Sequence, residues 1–543
     1  MKKWLPILVL AAAQFVMVLD TTVMNVAISD VVADLDTTVS QVQLAITLYT
    51  LVMAGLMLTG GKLGDILGRR RTFAIGMVVY AAGSITTALS PNATVLILGW
   101  SGLEGIGAAM VIPAIASLTA RNYSGRDRAM AYGVIGGIAA AGVAAGPLIG
   151  GWVTETFTWR YVFAGETVVI AGVLLALRVI KDAPRVEPRP PLDVVGAVLS
   201  ASGMGLIVFG LLRIPQWGLI EPKGAMTVAG VEVTPLGFSA VPFLVVAGAA
   251  LMTAFLRWSE RRVRVEREPL LRPDLLRIGQ LRGGLAMLGA QQLVMNGIFF
   301  VLPLYLQVVL GKDALETGLS ILPISVTMFI AALAGPRLAT RLSPRTIVQF
   351  GLGAMLLSAV GLISTIDYDL NETGFAISLA TFGVGVGLLA SQLGNVIMSS
   401  VEQTRASEAG GLQGTAQNLG ASLGTALIGA ILLAGLATAS ATAIAERSDL
   451  PPQVQQQLVE KTEQGLEFVP RADVEQAVGD AGLPPDQAAA VAEVYGDAQL
   501  DALKRALFGA AFFVLVGFWL TRRLPSAPLG GAPVRADPAP VPA

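Results

Sequence analysis

Apolar runs of about twenty residues recur along this chain, separated by short charged or glycine-bearing connections, and that spacing matches the thickness of a bilayer rather than the core of a soluble domain. Hydrocarbon offers the backbone no hydrogen-bonding partner, so each run has to satisfy its own amides as a helix. The runs fall at about 6–28, 43–63, 73–90, 94–119, 129–152 and 160–180, then 192–213 and 237–257, then 283–310, 315–338, 346–366, 373–397, 408–435 and 504–522. The expectation is an all-α polytopic membrane protein with about fourteen transmembrane helices, grouped six, two and six. A content of 54% hydrophobic and 14% charged residues fits that class.

The chain has no cysteine and no histidine. Disulfides, thiolate nucleophiles and imidazole ligands are therefore excluded, no metal set is expected, and proton chemistry has to use carboxylates. No cofactor is expected beyond protons as a coupling ion. No basic arm is present for nucleic acid, no nucleotide loop follows a strand, and no nucleophile–base set is evident, which argues against an enzyme. The start, Met1-Lys2-Lys3 and then Trp4 to Ala13, imitates a secretory signal, but the apolar run continues to Ile28 and reads as a retained first helix. Basic clusters (Arg69 to Arg71; Arg121, Arg126 and Arg128; Arg261, Arg262 and Arg264; Arg341 and Arg345) all fall in even-to-odd connections. By the positive-inside rule both termini are cytoplasmic in a multi-pass cell-membrane protein.

The resulting organisation is a first bundle at 1–180, a linker with two extra helices at 181–282, a second bundle at 283–523 and a tail at 524–543. Thr227 to Val233 alternates around Gly230 and reads as an external hairpin. Residues 436–503 form an acidic insertion whose segments from Pro451 and Pro484 have helical periodicity, read as a small external helical cap. The Pro/Ala-rich tail should be disordered.

Three motifs stand out. Gly61-Lys62-Leu63-Gly64-Asp65-Ile66-Leu67-Gly68-Arg69-Arg70-Arg71-Thr72 joins the second and third runs: its glycines permit a tight turn, Asp65 can pair locally, and the arginines suit an anionic leaflet. Leu19 to Ile28 places Asp20, Thr21, Thr22 and Asn25 inside the first run. Gly142, Gly146, Pro147, Gly150 and Gly151 line one face of the fifth, where small residues allow close helix packing.

Together these resemble the major facilitator superfamily, and specifically its fourteen-span drug:proton antiporter branch. The resemblance implies two pseudo-twofold related six-helix halves. It further implies a conformational latch in which Gly61, Gly64, Asp65, Gly68, Arg69 and Arg70 engage the facing half near Ser407 and Glu408 in the outward-open state. The glycines of the fifth helix, with Gly410, Gly411, Gly414, Gly420 and Gly424 in the thirteenth, would be matched rocking surfaces that seal the leak between halves. A degenerate second latch copy runs through Gly335, Leu338, Ala339, Arg341 and Arg345, with Thr340 where the acid would fall. The chain departs from the pattern in the fourth helix, where Ser101 and Glu104 replace the usual Arg and Gln, and in the sixth, where Glu166 replaces an Asn and Val168 a Pro.

Carboxylates within a membrane are costly and usually mark a pathway, so Asp20, Glu104 and Glu166 are the candidates for proton coupling or for neutralising a cationic substrate. Asn25, Gln292, Asn296, Gln392, Asn395, Gln413 and Gln417 are candidates for the lining of a central cavity. Scattered amides in an apolar setting, with only 6% aromatic residues, suit hydrophobic or amphiphilic solutes, cations among them, better than sugars. The expected function is proton-coupled multidrug efflux by alternating access, by a monomer whose partners are a small hydrophobic substrate and the lipid bilayer. An exporter or flippase of lipids or lipid-like metabolites, and a sensor or scaffold acting through 436–503, stay open as alternatives.

Overall fold

The computed structural model describes residues 3–123, 125–182, 191–222, 226–228, 231–339, 341–402, 405–445, 462, 466–480 and 484–527. The long helices in chain order are α1 (Leu5–Val26), α2 (Val39–Leu67) and α3 (Arg69–Ala88). Next comes α4, a continuous run of Ala93–Leu96, a π-wound stretch Ile97–Glu104 and Gly105–Asn122. It is followed by α5 (Gly125–Thr156), α6 (Arg160–Ala176), α7 (Val194–Leu212) and α8 (Ala240–Arg264). The remainder are α9 (Gly279–Leu304), α10 (Ala314–Leu338), α11 (Pro344–Thr365), α12 (Glu372–Met398), α13 (Ala406–Ala445) and α14 (Pro485–Leu520).

Twelve helices among the described residues are long and apolar enough to cross a membrane. The helices α3 and α5, at the third and fifth expected runs, are not among the twelve, so a count of fourteen spans is not shown. Polar residues set the starts, each accepting a hydrogen bond from an otherwise orphaned amide of the first turn. Thr38 caps α2, Asp193 α7, Ser343 α11 and Asn371 α12, while Asp313 and Glu316 close a reciprocal capping box on α10.

Helices α1 to α6 pack on one another, as do α9 to α14, and α7 pairs with α8 against the side of α2 and α13. The two groups meet along α2–α13 and α5–α10. Polar ties between them include Ser325 Oγ of α10 to the Val143 carbonyl of α5 (3.3 Å), and also Gln43 Nε2 to the Thr425 carbonyl (2.9 Å), Ser422 Oγ to the Thr47 carbonyl (3.0 Å) and Gln307 Nε2 to the Val26 carbonyl (2.5 Å). The last three lie at the end of the helices away from Arg69 to Arg71, whereas the Ser325 tie is mid-helix.

Several expectations change in detail. The connection at 61–72 is helical except for Gly68, whose φ of 97° places it in a backbone region that only glycine adopts cheaply. The apolar run to Ile28 breaks after Val26, and a separate short helix, Ile28–Asp34, follows. Of the insertion 436–503, residues 436–445, 462, 466–480 and 484–503 are described. Its ends are continuations of α13, with 40 residues, and of α14, with 36. At 1.5 Å per residue these helices are roughly 60 and 54 Å long, well beyond the roughly 30 Å of hydrocarbon, so their far ends project from the membrane. Helix Arg471–Asp480 lies between them. The segment from Pro451 and the tail beyond residue 527 lie outside the described residues, as do Thr340 and the linker stretch 183–190. The hairpin is present as Met226–Val228 paired antiparallel with Val231–Val233, its Gly230 turn also outside the described residues.

Candidate functional site

The structure brings the three intramembrane carboxylates together. Asp20 on α1, Glu104 on α4 and Glu166 on α6 are 0%, 0% and 2% exposed, and one oxygen from each lies within 4.8 Å of the other two. Each carboxylate holds one hydrogen-bond donor: Trp100 Nε1 to Asp20 Oδ1 at 2.8 Å, Thr87 Oγ1 to Glu104 Oε1 at 3.0 Å, and Ser84 Oγ to Glu166 Oε2 at 3.5 Å. The remaining oxygens, Asp20 Oδ2, Glu104 Oε2 and Glu166 Oε1, have no partner. Tyr49 and Tyr80 stand beside Asp20 on α2 and α3, close enough to interact with its carboxylate, but their buried hydroxyls complete no well-aligned hydrogen bond. Three like charges this close would repel by roughly 3 kcal/mol per pair even at an effective dielectric of 20. Positive charge, as protons or as a cation, therefore has to accompany the cluster.

Local sequence explains how five helices converge here. Tyr80, Ser84 and Thr87 follow one another at helical spacing and form a buried polar stripe on α3. Gly83 lets α3 and α4 touch, since a Cβ there would stand 2.5 Å from Glu104 Cγ. On α4, Trp100 lies one turn before Glu104 in the π-wound stretch and stacks on Tyr49 with ring centroids 4.9 Å apart and planes 8° off parallel. Reading the sequence by its charges found the carboxylates and missed Trp100, Tyr49, Tyr80, Ser84 and Thr87. The spacing of Tyr80, Ser84 and Thr87 was the available signal. Ser101, at the position of the missing arginine, is buried and donates to the Ala45 carbonyl at 2.7 Å, so it ties α4 to α2.

The glycines of α5 do something more specific than line a surface between halves. Gly142, Gly146 and Gly150 face Val18, Thr22 and Val23 of α1, the helix that carries Asp20. Of the motif residues, Pro147 and Gly151 reach across, their backbones meeting Gly318 and the Ala314–Leu315 turn of α10. In α13, Gly411 and Gly414 face Leu58 and Met57 of α2, whereas Gly420 and Gly424 sit on Gly289 and Leu293 of α9, within their own group.

At the connection between α2 and α3, Arg69 Nη2 is 2.9 Å from Asp65 Oδ1, and the Arg70 amide donates to Asp182 Oδ1 at 3.1 Å. Gly64 lies against the Arg69 side chain, and Gly61 approaches Pro113 of α4. The acid–arginine pair is closed on itself, and Glu408 Oε2 is buried without a partner. A second ion pair joins Lys62 Nζ to Glu268 Oε2 at 2.9 Å, and Arg405 Nη2 pairs with Asp274 Oδ2 at 2.8 Å. The segment after α8 thus fastens to both helix groups. The hydrogen bond from Lys62 holds the Glu268 carboxyl below its ordinary range.

The amides chosen as cavity lining divide. Gln417 and Asn395 are exposed, and Gln413 and Asn296 partly so. Asn296 donates to the Gln292 carbonyl and side chain, at 3.0 and 3.3 Å, and Asn25 to the Thr21 carbonyl at 2.8 Å. Gln392 is 1% exposed and donates to the Gly335 carbonyl at 3.2 Å, so it ties α12 to α10 instead of lining open space.

The profile of the Major Facilitator Superfamily matches residues 10–425. The chain is 32% identical over 432 residues to the cephamycin export protein CmcT of Amycolatopsis lactamdurans, covering 78% of this chain and 83% of that protein. It is 30% identical to the puromycin resistance protein pur8 of Streptomyces alboniger, covering 79% and 82%, and 30% identical to the multidrug efflux pump LfrA of Mycolicibacterium smegmatis, covering 80% and 81%. In fold it is similar to a bacterial homolog of the human lysosomal transporter Spinster in an inward-facing, unoccupied conformation, with a TM-score of 0.57 at 13% identity over 96% of this chain and 98% of that one. A D-xylose–proton symporter gives a TM-score of 0.57 at 12% identity, covering 97% and 99%.

Proposed function

Because the chain belongs to the Major Facilitator Superfamily, as the match over residues 10–425 shows, we propose that it is a secondary active exporter of hydrophobic or amphiphilic compounds, cations among them, driven by inward proton movement. The relatives named for export and drug resistance support the direction of transport and the substrate class. The observation that carries the coupling is the buried cluster of Asp20, Glu104 and Glu166, which needs accompanying positive charge and sits on three helices of one half. In this reading Trp100 and Tyr49 connect the charge state of Asp20 to the faces of α4 and α2, and α5 carries α1 with it as the halves rock.

The cycle alternates the two helix groups about the α2–α13 and α5–α10 contacts. With both termini cytoplasmic, as the basic loops imply, the ties from Gln43, Ser422 and Gln307 close the external end, and the described state is the inward-open member of the cycle. The Asp65–Arg69 pair, closed on itself, is then the released latch, and Glu408 is its partner in the outward-open state. The driving force suffices: about 2.3 kcal/mol per charge per 100 mV, at about 1.4 kcal/mol per tenfold, sustains on the order of a fiftyfold gradient per proton for a neutral solute.

The test is an export screen in proteoliposomes loaded with cationic dyes, neutral lipophiles or fluorescent lipids, with and without a pH gradient. The proposal expects dyes or lipophiles to move in a gradient-dependent way. Movement of lipids alone, or transport indifferent to the gradient, would contradict it.

A further inference from the structure

Resting on the reading of Asp20, Glu104 and Glu166 as the ion-coupling site, we propose that this cluster also binds a single desolvated hard cation of the class of Na+ or Ca2+. The chain has no histidine or cysteine, and the donors grouped here are carboxylate and hydroxyl oxygens, which select hard cations over transition metals. Two sets of buried atoms in the cluster are left without hydrogen-bond partners. The first is the free carboxylate oxygens Asp20 Oδ2, Glu104 Oε2 and Glu166 Oε1. The second is the hydroxyls of Tyr49 and Tyr80, 1% and 0% exposed, which stand beside Asp20 and complete no well-aligned hydrogen bond.

The dimensions fit one ion. Three carboxylate oxygens within 4.8 Å of one another have a common centre no more than about 2.8 Å from each, so a shift of a few tenths of an ångström per side chain brings them into the 2.3–2.6 Å range of calcium–oxygen bonds. Mg2+ is disfavoured, because it retains several waters and the ligands here are buried to 2% exposure or less. The ion would supply the positive charge that three close carboxylates require, and through the two tyrosines it would bind α2 and α3 to α1, α4 and α6.

The test uses the purified full-length chain in lipid nanodiscs, with equilibrium binding of radiolabelled sodium and of radiolabelled calcium measured separately against choline chloride. The expected result is saturable binding of one of the two at about one ion per chain. Glu166→Gln should weaken binding by about tenfold or more, the loss typical of a disturbed ion site. Tyr80→Phe, which removes only a hydroxyl, should weaken it severalfold and keeps the test open if Glu166→Gln does not fold. Absence of saturable binding of either ion to the folded wild type overturns the inference, and so does binding that both variants leave unchanged. The same preparation in proteoliposomes separates the two claims. Gradient-driven export without cation binding overturns this inference alone. Cation binding with Asp20→Asn export still fully responsive to the pH gradient overturns the proton reading alone.

Discussion

Trp100 donates its indole N–H to Asp20 Oδ1 at 2.8 Å from the same π-wound stretch of α4 that carries Glu104. The bond joins the first helix to the fourth through the one carboxylate that the branch resemblance would have supplied, one turn before Glu104, one of the two that it would not. Trp100→Phe keeps an aromatic ring over Tyr49 and removes the donor. Loss of a hydrogen bond to a buried acidic group typically costs about 1–3 kcal/mol. The variant should therefore fold, melt earlier by intrinsic fluorescence than wild type, and export more slowly at equal expression. An unchanged melting temperature together with unchanged export would show that the bond is incidental.

The fit of α5 on α1 predicts a sharp contrast between two glycines. A Cβ on Gly146 would stand 2.6 Å from Thr22 Cβ, whereas one on Gly165 meets nothing within 4 Å. Overpacking of this kind costs about 1–3 kcal/mol, so Gly146→Ala should lower thermal stability in detergent while Gly165→Ala leaves it level or slightly raised. Equal effects of the two would mean that α5 does not seat on α1 through these glycines.

The ion pair of Lys62 and Glu268 gives a pH dependence with a definite sign. Lys62 holds the Glu268 carboxyl below its ordinary range, so the folded state gains from the ionised form. That gain is fully present above the ordinary carboxylate pKa of about 4.3 and is lost as pH falls through the depressed folded value. Glu268 is 46% exposed in its side chain, which limits the pair to about 0.2–1 kcal/mol and makes it salt-sensitive. A double-mutant cycle of Lys62→Met and Glu268→Gln should show that coupling at pH 7 in low salt. It should vanish in high salt or at strongly acidic pH. Coupling that persists in both conditions would contradict a surface ion pair.

The large features were legible because they follow from the solvent. Runs of spanning length announce helices, and an acid inside one announces a reason for being there, so Asp20, Glu104 and Glu166 could each be picked out alone. Their meeting could not be read, because it depends on which faces of α1, α4 and α6 turn inward, and that is decided by glycine contacts such as Gly83 with Glu104 and Gly146 with Thr22. The same limit applies to amides. Gln392 and Gln417 look alike in sequence, yet one is buried as a tie to the Gly335 carbonyl and the other is exposed. Breaks misled where polarity did not coincide with a turn. The charged stretch 61–72 is helix on both sides of Gly68, and the acidic stretch beyond residue 435 continues α13 to Ala445 before any break.

In the proposed cycle Asp20 passes the driving proton. The most direct measurement is export by Asp20→Asn in proteoliposomes under an imposed pH gradient, alongside equilibrium binding of the same substrate to the purified variant. Binding is expected to be retained and gradient-driven export to be lost. Export that responds to the pH gradient as in the wild type would contradict that role for Asp20.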